Sequence, residues 1–293
     1  MLRSSIIALI FFILSMPSLL MADDKLAVLE AVVAASEQVQ PDLQNYLATV
    51  ETSRIEEMMT QLTSGMPSDV KPPPTPVITK FWQRNGEGLV FAKQAQLHPY
   101  VEKMVKQVSA NLAIELNEML LPANRAEQRR ELLKGAKVKS SEVALANSLM
   151  HRLEILFKEP TDLNEAFYVR GMRLPQKQIN SLIFDVDTKT NTINELGLVT
   201  NSGLQLIVEI RYLEVVGGHI PERFQITSPD GKVDDLFEVK FTEVDGFLLP
   251  SSMIRIIRRP QLQENLEVFF KDYQVNKTIP EDIQTRLNSH LNR

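Results

Sequence analysis

The stretch that most constrains the fold of this chain is residues 180–276, where apolar and polar side chains alternate along successive short segments. In its clearest segment, residues 204–215, most even positions are apolar or aromatic, whereas the odd positions include Gln205 and Glu209. Such alternation gives a strand one dry face and one wet face, as in an antiparallel sheet with a single covered face. Turn signals such as Gly217-Gly218 separate the segments. The stretch therefore predicts an all-antiparallel sheet, sandwich or barrel.

The same signals divide the rest of the chain into strands and helices. Period-two patterns predict strands over residues 166–170, 181–187, 192–200, 204–215, 220–227, 236–244, 247–258 and 266–275, and a hairpin over 77–93. Helical spacing predicts helices over 24–40 and 43–62, a helical insertion over 98–158 with segments 100–121, 122–134 and 140–157, and a C-terminal helix over 280–292. Residues 45–54 also fit a first strand, and periodicity alone leaves that alternative open.

The N-terminus has the layout of a secretory signal peptide. Arg3 supplies a positive charge, an apolar run follows to Met16, and Pro17 precedes a small-residue site at Ala22. We expect residues 1–22 to be a cleavable signal peptide and residues 23–293 to form a single exported domain. The alternative is an uncleaved anchor that holds the protein at the inner membrane, although the apolar run is shorter than the ~20 residues of a spanning helix.

Composition excludes several classes of site and partner. The 293 residues include no cysteine, so disulfides, thiolate metal sites, cysteine nucleophiles and a lipidated N-terminal cysteine are excluded. Net charge is −5, and loss of Arg3 with the signal peptide leaves −6 on the mature chain. An acidic chain argues against a nucleic-acid partner. Export, mild acidity and the lack of cysteine together fit a bacterial periplasm.

The C-terminal third carries short motifs that resemble a known family. They are the run 246–250 (GFLLP), the run 268–270 (VFF), the run 272–276 (DYQVN) and the closing Ile279-Pro280. These runs resemble the LolA-like family of periplasmic lipoprotein carriers and outer-membrane lipoprotein-sorting proteins, chiefly over residues 160–280. The resemblance implies an open half-barrel whose concave apolar face receives acyl chains beneath covering helices. It also implies membrane-bound donor and acceptor proteins.

Two groups of residues are candidates for contact with such a ligand. The apolar strand faces are candidates for a lipid cavity, with the core of an ordinary half-buried sheet as the alternative. A basic cluster near the end of one strand is a candidate for the cavity rim, with a solvated strand end as the alternative. The cavity candidates are Leu206, Val208, Ile210, Tyr212, Phe224, Ile226, Phe237, Val239 and Phe241, and the rim candidates are Arg255, Arg258 and Arg259.

Other chemistry has little support in the sequence. The four histidines are scattered, and the pair His151 and Glu154 reads as a solvated helix pair more readily than as a metal site. Asp230 belongs to a β-turn pattern and does not match a calcium loop. Ser252 lacks a nucleophile elbow and an identifiable base. We therefore expect no metal, cofactor or catalytic residue.

The sequence thus predicts an α+β protein: a curved antiparallel β-sheet, an open half-barrel covered by N-terminal and inserted helices. The function expected is a periplasmic, non-enzymatic carrier that binds lipid or lipoprotein acyl chains in the concave face. The alternative is an envelope sensor or assembly protein that uses the same fold to bind a protein partner, and a hydrolase is the third hypothesis.

Overall fold

A computed structural model describes residues 21–66, 69, 71–72, 74–84, 88–92, 102–103, 106, 121, 123–145, 148–163, 166–167 and 174–291. Within these ranges, four helices have defined bounds: α1 (Met21–Glu37), α2 (Ser53–Thr63), α3 (Ala126–Leu133), preceded by a short 3-10 turn (Ala123–Arg125), and α4 (Glu281–Leu291). The strands are β1 (Asn45–Thr52), β2 (Ile78–Gln83), β3 (Gly88–Ala92), β4 (Lys137–Leu145), β5 (Ser148–Thr161), β6 (Ile179–Asp187), β7 (Thr192–Thr200), β8 (Gln205–Val215), β9 (Gly218–Thr227), β10 (Asp234–Val244), β11 (Phe247–Arg259) and β12 (Leu262–Val275).

All twelve strands belong to one curved, unclosed antiparallel sheet in the order β3-β2-β1-β12-β11-β10-β9-β8-β7-β6-β5-β4. Strands β4 to β12 follow one another in sequence as a meander. The first three strands join this meander through β1, which pairs with β12 so that Val50 lies opposite Phe270. The predicted α+β class and open half-barrel are confirmed by this arrangement.

The concave face of the sheet carries the main hydrophobic core. Along each strand alternate side chains enter it, because successive residues of a strand point to opposite faces. Helices α1 and α2 cover this face through Leu29, Val33, Ile55 and Met58, which are all buried in the core cluster. Leu133 of α3 joins the same cluster. The N-terminal and inserted helices therefore cover the sheet as predicted.

A smaller core lies around the first hairpin. Ile283 and Leu287 of α4 bury themselves against Phe81, Leu89 and Phe91 of β2 and β3. These side chains alternate with Ile78 of the main core, so α4 packs on the opposite, convex face of the sheet. The C-terminal helix thus leaves the concave face to α1, α2 and α3.

Three sequence predictions are wrong in detail. The helix predicted over 43–62 is strand β1 followed by α2, so the alternative of a first strand is the correct one. The helix predicted over 140–157 is the hairpin β4–β5, so the insertion over 98–158 is not wholly helical. In the strand predicted over 166–170, residues 166–167 form a bend, and residues 168–170 lie outside the described residues.

The helix predicted over 122–134 is confirmed by α3 and its preceding turn. Most of the helix predicted over 100–121, and residues 1–20 of the predicted signal peptide, lie outside the described residues. The division into a signal peptide and one domain stays a prediction. Within the described part of the chain, no helix has both the length and the apolar character needed to cross a membrane.

Candidate functional site

A cavity of about 260 Å³, open on one side, lies at one end of the concave face. Its position follows from the strand register, since it meets the end of β8, the start of β9, the end of β10 and the start of β11. The C-terminal half of α1 covers it. The apolar and aromatic side chains that line it include Val32, Val39, Leu43, Tyr46, Trp82, Leu121, Ile193, Ile210, Tyr212, Ile220, Pro221, Phe224, Phe241, Leu248, Leu249 and Pro250.

Packed aromatic rings form one wall of the cavity. Tyr46 of β1 stacks on Trp82 of β2 with 5.4 Å between ring centroids, because the two residues are direct partners in the β1–β2 register. Tyr273 of β12 meets Tyr46 edge to face at 5.5 Å. Aromatic pairs at these separations are favourable, and their rings have few rotatable bonds. The wall is therefore large, apolar and stiff.

Tyr212 forms part of the opposite wall. Its hydroxyl donates to the backbone carbonyl of Ile193 at 2.9 Å. Burial raises the pKa of Tyr212. The phenol therefore stays neutral at physiological pH, and its polar end is occupied within the wall.

The C-terminal end of α1 is fixed in place above the cavity by hydrogen bonds from Arg84. The guanidinium donates to the carbonyl oxygens of Leu43 at 2.8 Å and Glu37 at 3.1 Å, and also to those of Val39 and Gln40. Carbonyls at the end of a helix lack partners within the helix. Arg84, directly after β2, supplies such a partner to Glu37 and also bonds three carbonyls of the segment that follows α1.

Gln40 makes a second attachment of the same segment. Its backbone is left-handed, with φ 48°, which turns the chain after α1. Its side-chain amide donates to the carbonyl of Leu248 at 3.1 Å and accepts from the Leu248 N–H at 2.6 Å. The amide therefore pairs with the backbone at the start of β11, as a neighbouring strand would.

The turn between β8 and β9 also touches this segment closely. A Cβ atom at Gly217 would lie 2.6 Å from the carbonyl oxygen of Gln38, and Gly217 has φ +88°. A Cβ at Gly218 would lie 3.0 Å from Val39. Glycine suits both positions because it has no side chain to collide with the segment after α1 and tolerates positive φ.

Comparisons with known proteins return distant structural likenesses. No protein-family model matches the sequence, and no curated protein matches it. A domain assigned to outer membrane lipoprotein sorting, from Vibrio parahaemolyticus, aligns with a TM-score of 0.35 and 9% identity, covering 90% of this chain and 97% of that one. A LolA superfamily protein from Nitrosomonas europaea aligns with a TM-score of 0.32 and 9% identity, covering 87% and 96%.

The MucA/MucB complex of Pseudomonas aeruginosa also aligns, with a TM-score of 0.22 and 10% identity, covering 90% of this chain and 96% of that one. The solved structures similar to this chain thus include a member of the LolA superfamily, the family that the C-terminal motifs resemble. Because these TM-scores lie below 0.5, we base the function on the chain's own residues and not on these likenesses.

The predicted cavity residues fall into two groups. Ile210, Tyr212, Phe224 and Phe241 line the cavity. The other five predicted residues, Leu206, Val208, Ile226, Phe237 and Val239, are buried in the main core away from it. At these five positions the alternative of an ordinary core fits the structure, while the other four lie at the hollow end near the β8–β9 turn.

The predicted basic rim is not at this cavity. From Pro250, which lines the cavity, to Arg259 the extended strand β11 covers about 30 Å. Arg259 Nε donates to Asp235 at 2.9 Å, and Arg258 Nη1 donates to Asp234 at 3.1 Å. Arg255 is 4% exposed and faces the core side of β11. The three arginines therefore lie toward the far end of the sheet, two of them in cross-strand ion pairs.

The polar groups considered for metal binding or catalysis have structural partners. His151 and Glu154 lie three apart on β5, a strand and not a helix, so they point to opposite faces. The Asp230 carboxylate accepts from Ser228 at 2.7 Å and pairs with Lys232, contacts that lower its pKa. Over the described ranges, no three His, Asp or Glu side chains form a group that could hold a metal ion.

The sequence alone did not identify much of the cavity wall. Tyr46 and Trp82 come from a region about 130 residues before the strands that complete the site, and Val39 follows the first helix. The Gly217-Gly218 pair was a usable signal, because consecutive glycines indicate close approach of another backbone as well as a turn. The partner of that approach, the end of α1, is not readable from local patterns.

Proposed function

We propose that this protein is a periplasmic, non-enzymatic carrier that binds a lipid or lipoprotein acyl chain in the cavity at the end of the concave face. The observation that carries the proposal is the cavity itself. It is a hollow of about 260 Å³ beside the main core, and its walls are mainly aliphatic and aromatic side chains. Apolar, largely preformed concavities with a few polar groups are typical small-ligand sites.

Burial of methylene groups supplies the driving force for such binding. Each buried methylene contributes about 0.8 kcal/mol, so a chain of several carbons binds without any specific polar contact. The stiff wall formed by Tyr46 and Trp82 supports this proposal, because little side-chain freedom is lost when a ligand packs against rings that are already ordered.

The attachment of α1 suggests how the site opens. Polar contacts from Arg84 and Gln40 hold the segment after the helix, whereas Leu29 and Val33 hold the helix itself by apolar packing. We therefore assign α1 as the cover of the cavity, and a membrane-bound donor or acceptor protein as the agent that displaces it. The signal-like N-terminus supports export to the periplasm.

Native mass spectrometry of the protein purified from its own periplasm tests the proposal. We expect a bound lipid mass that disappears on denaturation. The variant Phe241→Asp places a carboxylate in the wall and should reduce that occupancy, while Asp245→Asn in the exposed β10–β11 turn should leave it unchanged. Repeated absence of lipid from the native protein would contradict the proposal.

A second candidate is an envelope sensor or assembly protein. The observation that favours it is the β4–β5 hairpin, where Leu149 and Leu156 are 58% and 52% exposed. The two side chains lie seven apart on β5 and so on opposite faces, and a partner that wraps this end of the sheet would bury both. The double variant Leu149→Ser/Leu156→Ser discriminates the two functions in a pull-down. Loss of a stable partner with lipid occupancy retained would favour the sensor, and loss of neither would favour the carrier.

A further inference from the structure

The size of the cavity limits what enters it. An engineered apolar cavity of about 150 Å³ holds one benzene molecule of six carbons. By the same proportion, about 260 Å³ holds roughly ten carbon atoms in a single row or ring system. Two or three acyl chains of a membrane lipid are several times larger. The cavity therefore fits one alkyl segment.

The charges around the cavity limit the head of the ligand. Among the described residues that line it, Arg84 is the sole arginine or lysine, and its guanidinium is already engaged by backbone carbonyls. Glu37 lies on the same wall and is exposed, so it brings a negative charge to this side of the cavity. An anionic head would meet that charge, and within the described part of the lining the one cation is already bonded to backbone carbonyls, which is unfavourable.

A cluster of hydroxyl, amide and imidazole groups forms another part of the wall. They come from the β6–β7 turn and the start of β9: Thr190, Asn191, Thr192 and His219. Thr190 and Thr192 are hydrogen-bonded to each other at 2.8 Å, which fixes this part of the wall. Hydroxyl and amide groups recognise uncharged polar heads, such as hydroxyl or amide groups of a ligand.

We propose that the cavity binds one alkyl chain of about ten carbons belonging to an amphiphile with a neutral or zwitterionic head. This inference rests on the proposed function and narrows its substrate class. Binding then depends on chain length until the cavity is full, and it depends little on the head provided that the head is not anionic. A multi-chain cargo would leave its other chains outside this cavity.

A chain-length series tests the inference. The protein is delipidated and titrated calorimetrically with hexyl, octyl, decyl, dodecyl and tetradecyl maltoside below their micellar concentrations. We expect the dissociation constant to fall about fourfold for each added methylene up to roughly ten carbons, and then to level off. Decanoate, with an anionic head, should bind at least tenfold more weakly than decyl maltoside, and monomeric diacyl phosphatidylcholine should bind no more tightly than its single-chain lyso form.

Two matched variants locate the binding. Ile220→Trp fills the cavity from its wall and should abolish saturable binding of decyl maltoside. Ile254→Trp makes the same substitution in β11. Because Met253 faces the core, its neighbour Ile254 points to the other face of the sheet, away from the cavity, and binding should be unchanged. Equal binding by wild type and Ile220→Trp would overturn the assignment to this cavity.

The outcomes separate the inference from the proposed function. Affinity that keeps rising from ten to fourteen carbons, preference for the diacyl lipid, or preference for decanoate would overturn the single-chain inference while the carrier function stands. Saturable binding by none of the amphiphiles, together with lipid-free native protein, would contradict the carrier function itself.

Discussion

At the scale of single residues, Arg84 has the largest expected effect on the cover of the cavity. Arg84→Ala removes the donor for the carbonyls of Leu43, Val39 and Gln40, whose hydrogen bonds are half-buried, and for the more exposed carbonyl of Glu37. Loss of charged hydrogen bonds of this kind costs about 2–3 kcal/mol of the free energy of unfolding. Urea denaturation, monitored by circular dichroism, measures this loss in the free energy of unfolding. Arg211→Ala, which removes an exposed arginine of β8, is the control, and an equal loss in both variants would contradict the structural role of Arg84.

Glu195 is a residue whose charge opposes folding. Burial raises its pKa most, the neighbouring Asp185 and Glu209 raise it further, and Arg152 lowers it in part. A carboxylic acid whose pKa is higher in the folded than in the unfolded protein costs no stability while it is protonated. It lowers the free energy of unfolding as the pH rises from its ordinary pKa through the raised folded-state pKa. Glu195→Gln should therefore stabilise the protein at pH 7.5, with a gain that shrinks as the pH falls toward the ordinary carboxyl range.

Urea unfolding of the wild type and Glu195→Gln at a series of pH values from 7.5 downward checks this prediction. Glu214→Gln removes an exposed carboxylate of β8 and should show little effect at any pH. A Glu195→Gln variant that is less stable than wild type at pH 7.5, or equally stabilised at every pH, would show that the carboxylate is not held in the unfavourable surroundings described.

At the scale of elements, the turn between β8 and β9 depends on contact with the segment after α1. Gly217→Ala adds a Cβ 2.6 Å from the Gln38 carbonyl oxygen and strains a residue at φ +88°. Gly203→Ala adds a Cβ at φ +81° with no heavy atom within 4 Å, so it carries the backbone strain alone. Both variants should lose about 1 kcal/mol from that strain. Gly217→Ala should lose a further 1–3 kcal/mol, a typical range for overpacking.

Thermal unfolding compares the stabilities of these two variants, and decyl maltoside titration compares their cavities. Gly217→Ala should also bind the amphiphile more weakly, because the collision displaces the segment that covers the cavity. Gly203→Ala should bind normally. Equal stabilities and equal affinities would mean that the close approach of α1 to the turn contributes nothing to either property.

The elements that sequence patterns predicted well are those with strict alternation on one face. In β7 to β12 the buried and exposed positions follow period two, and their limits were anticipated to within a few residues. The sequence of strand β5 was predicted as a helix instead. Leu153, Ile155 and Phe157 alternate inward, but Leu156 on the other face is apolar and 52% exposed, and so the set fitted helical spacing equally well.

Strand β1 was ambiguous for a related reason. Its inward positions are Tyr46, Ala48, Val50 and Thr52, and only two of them are large and apolar. Leu47 faces α4 on the other side of the sheet, so both faces of the strand carry apolar residues. Pairing with β12, more than 200 residues away, decides the conformation, and no local pattern contains that information.

At the scale of the whole molecule, one strand pairing links the two ends of the chain. Strands β4 to β12 are a meander in which each strand pairs with its sequence neighbour, whereas β1 reaches β12 across most of the chain. The cavity spans this junction, since Tyr46 and Trp82 belong to the first strands and Ile210 and Phe224 to the meander. A ligand in the cavity therefore contacts both parts and should stabilise their pairing.

This topology predicts the order in which the two parts form. Local pairings close short loops and are favoured early, while the β1–β12 pairing must close a loop of about 220 residues.

Val50→Ala in β1 and Val208→Ala in β8 remove the same two methyl groups from buried positions, 3% and 0% exposed, at a cost of about 2 kcal/mol each. Val208→Ala should slow the main refolding phase, with a φ-value above about 0.5, whereas Val50→Ala should mainly speed unfolding, with a φ-value below about 0.3. Stopped-flow refolding and unfolding in urea measures both. A higher φ-value at Val50 than at Val208 would mean that the junction forms before the meander, and that the cavity is assembled from its most distant parts first.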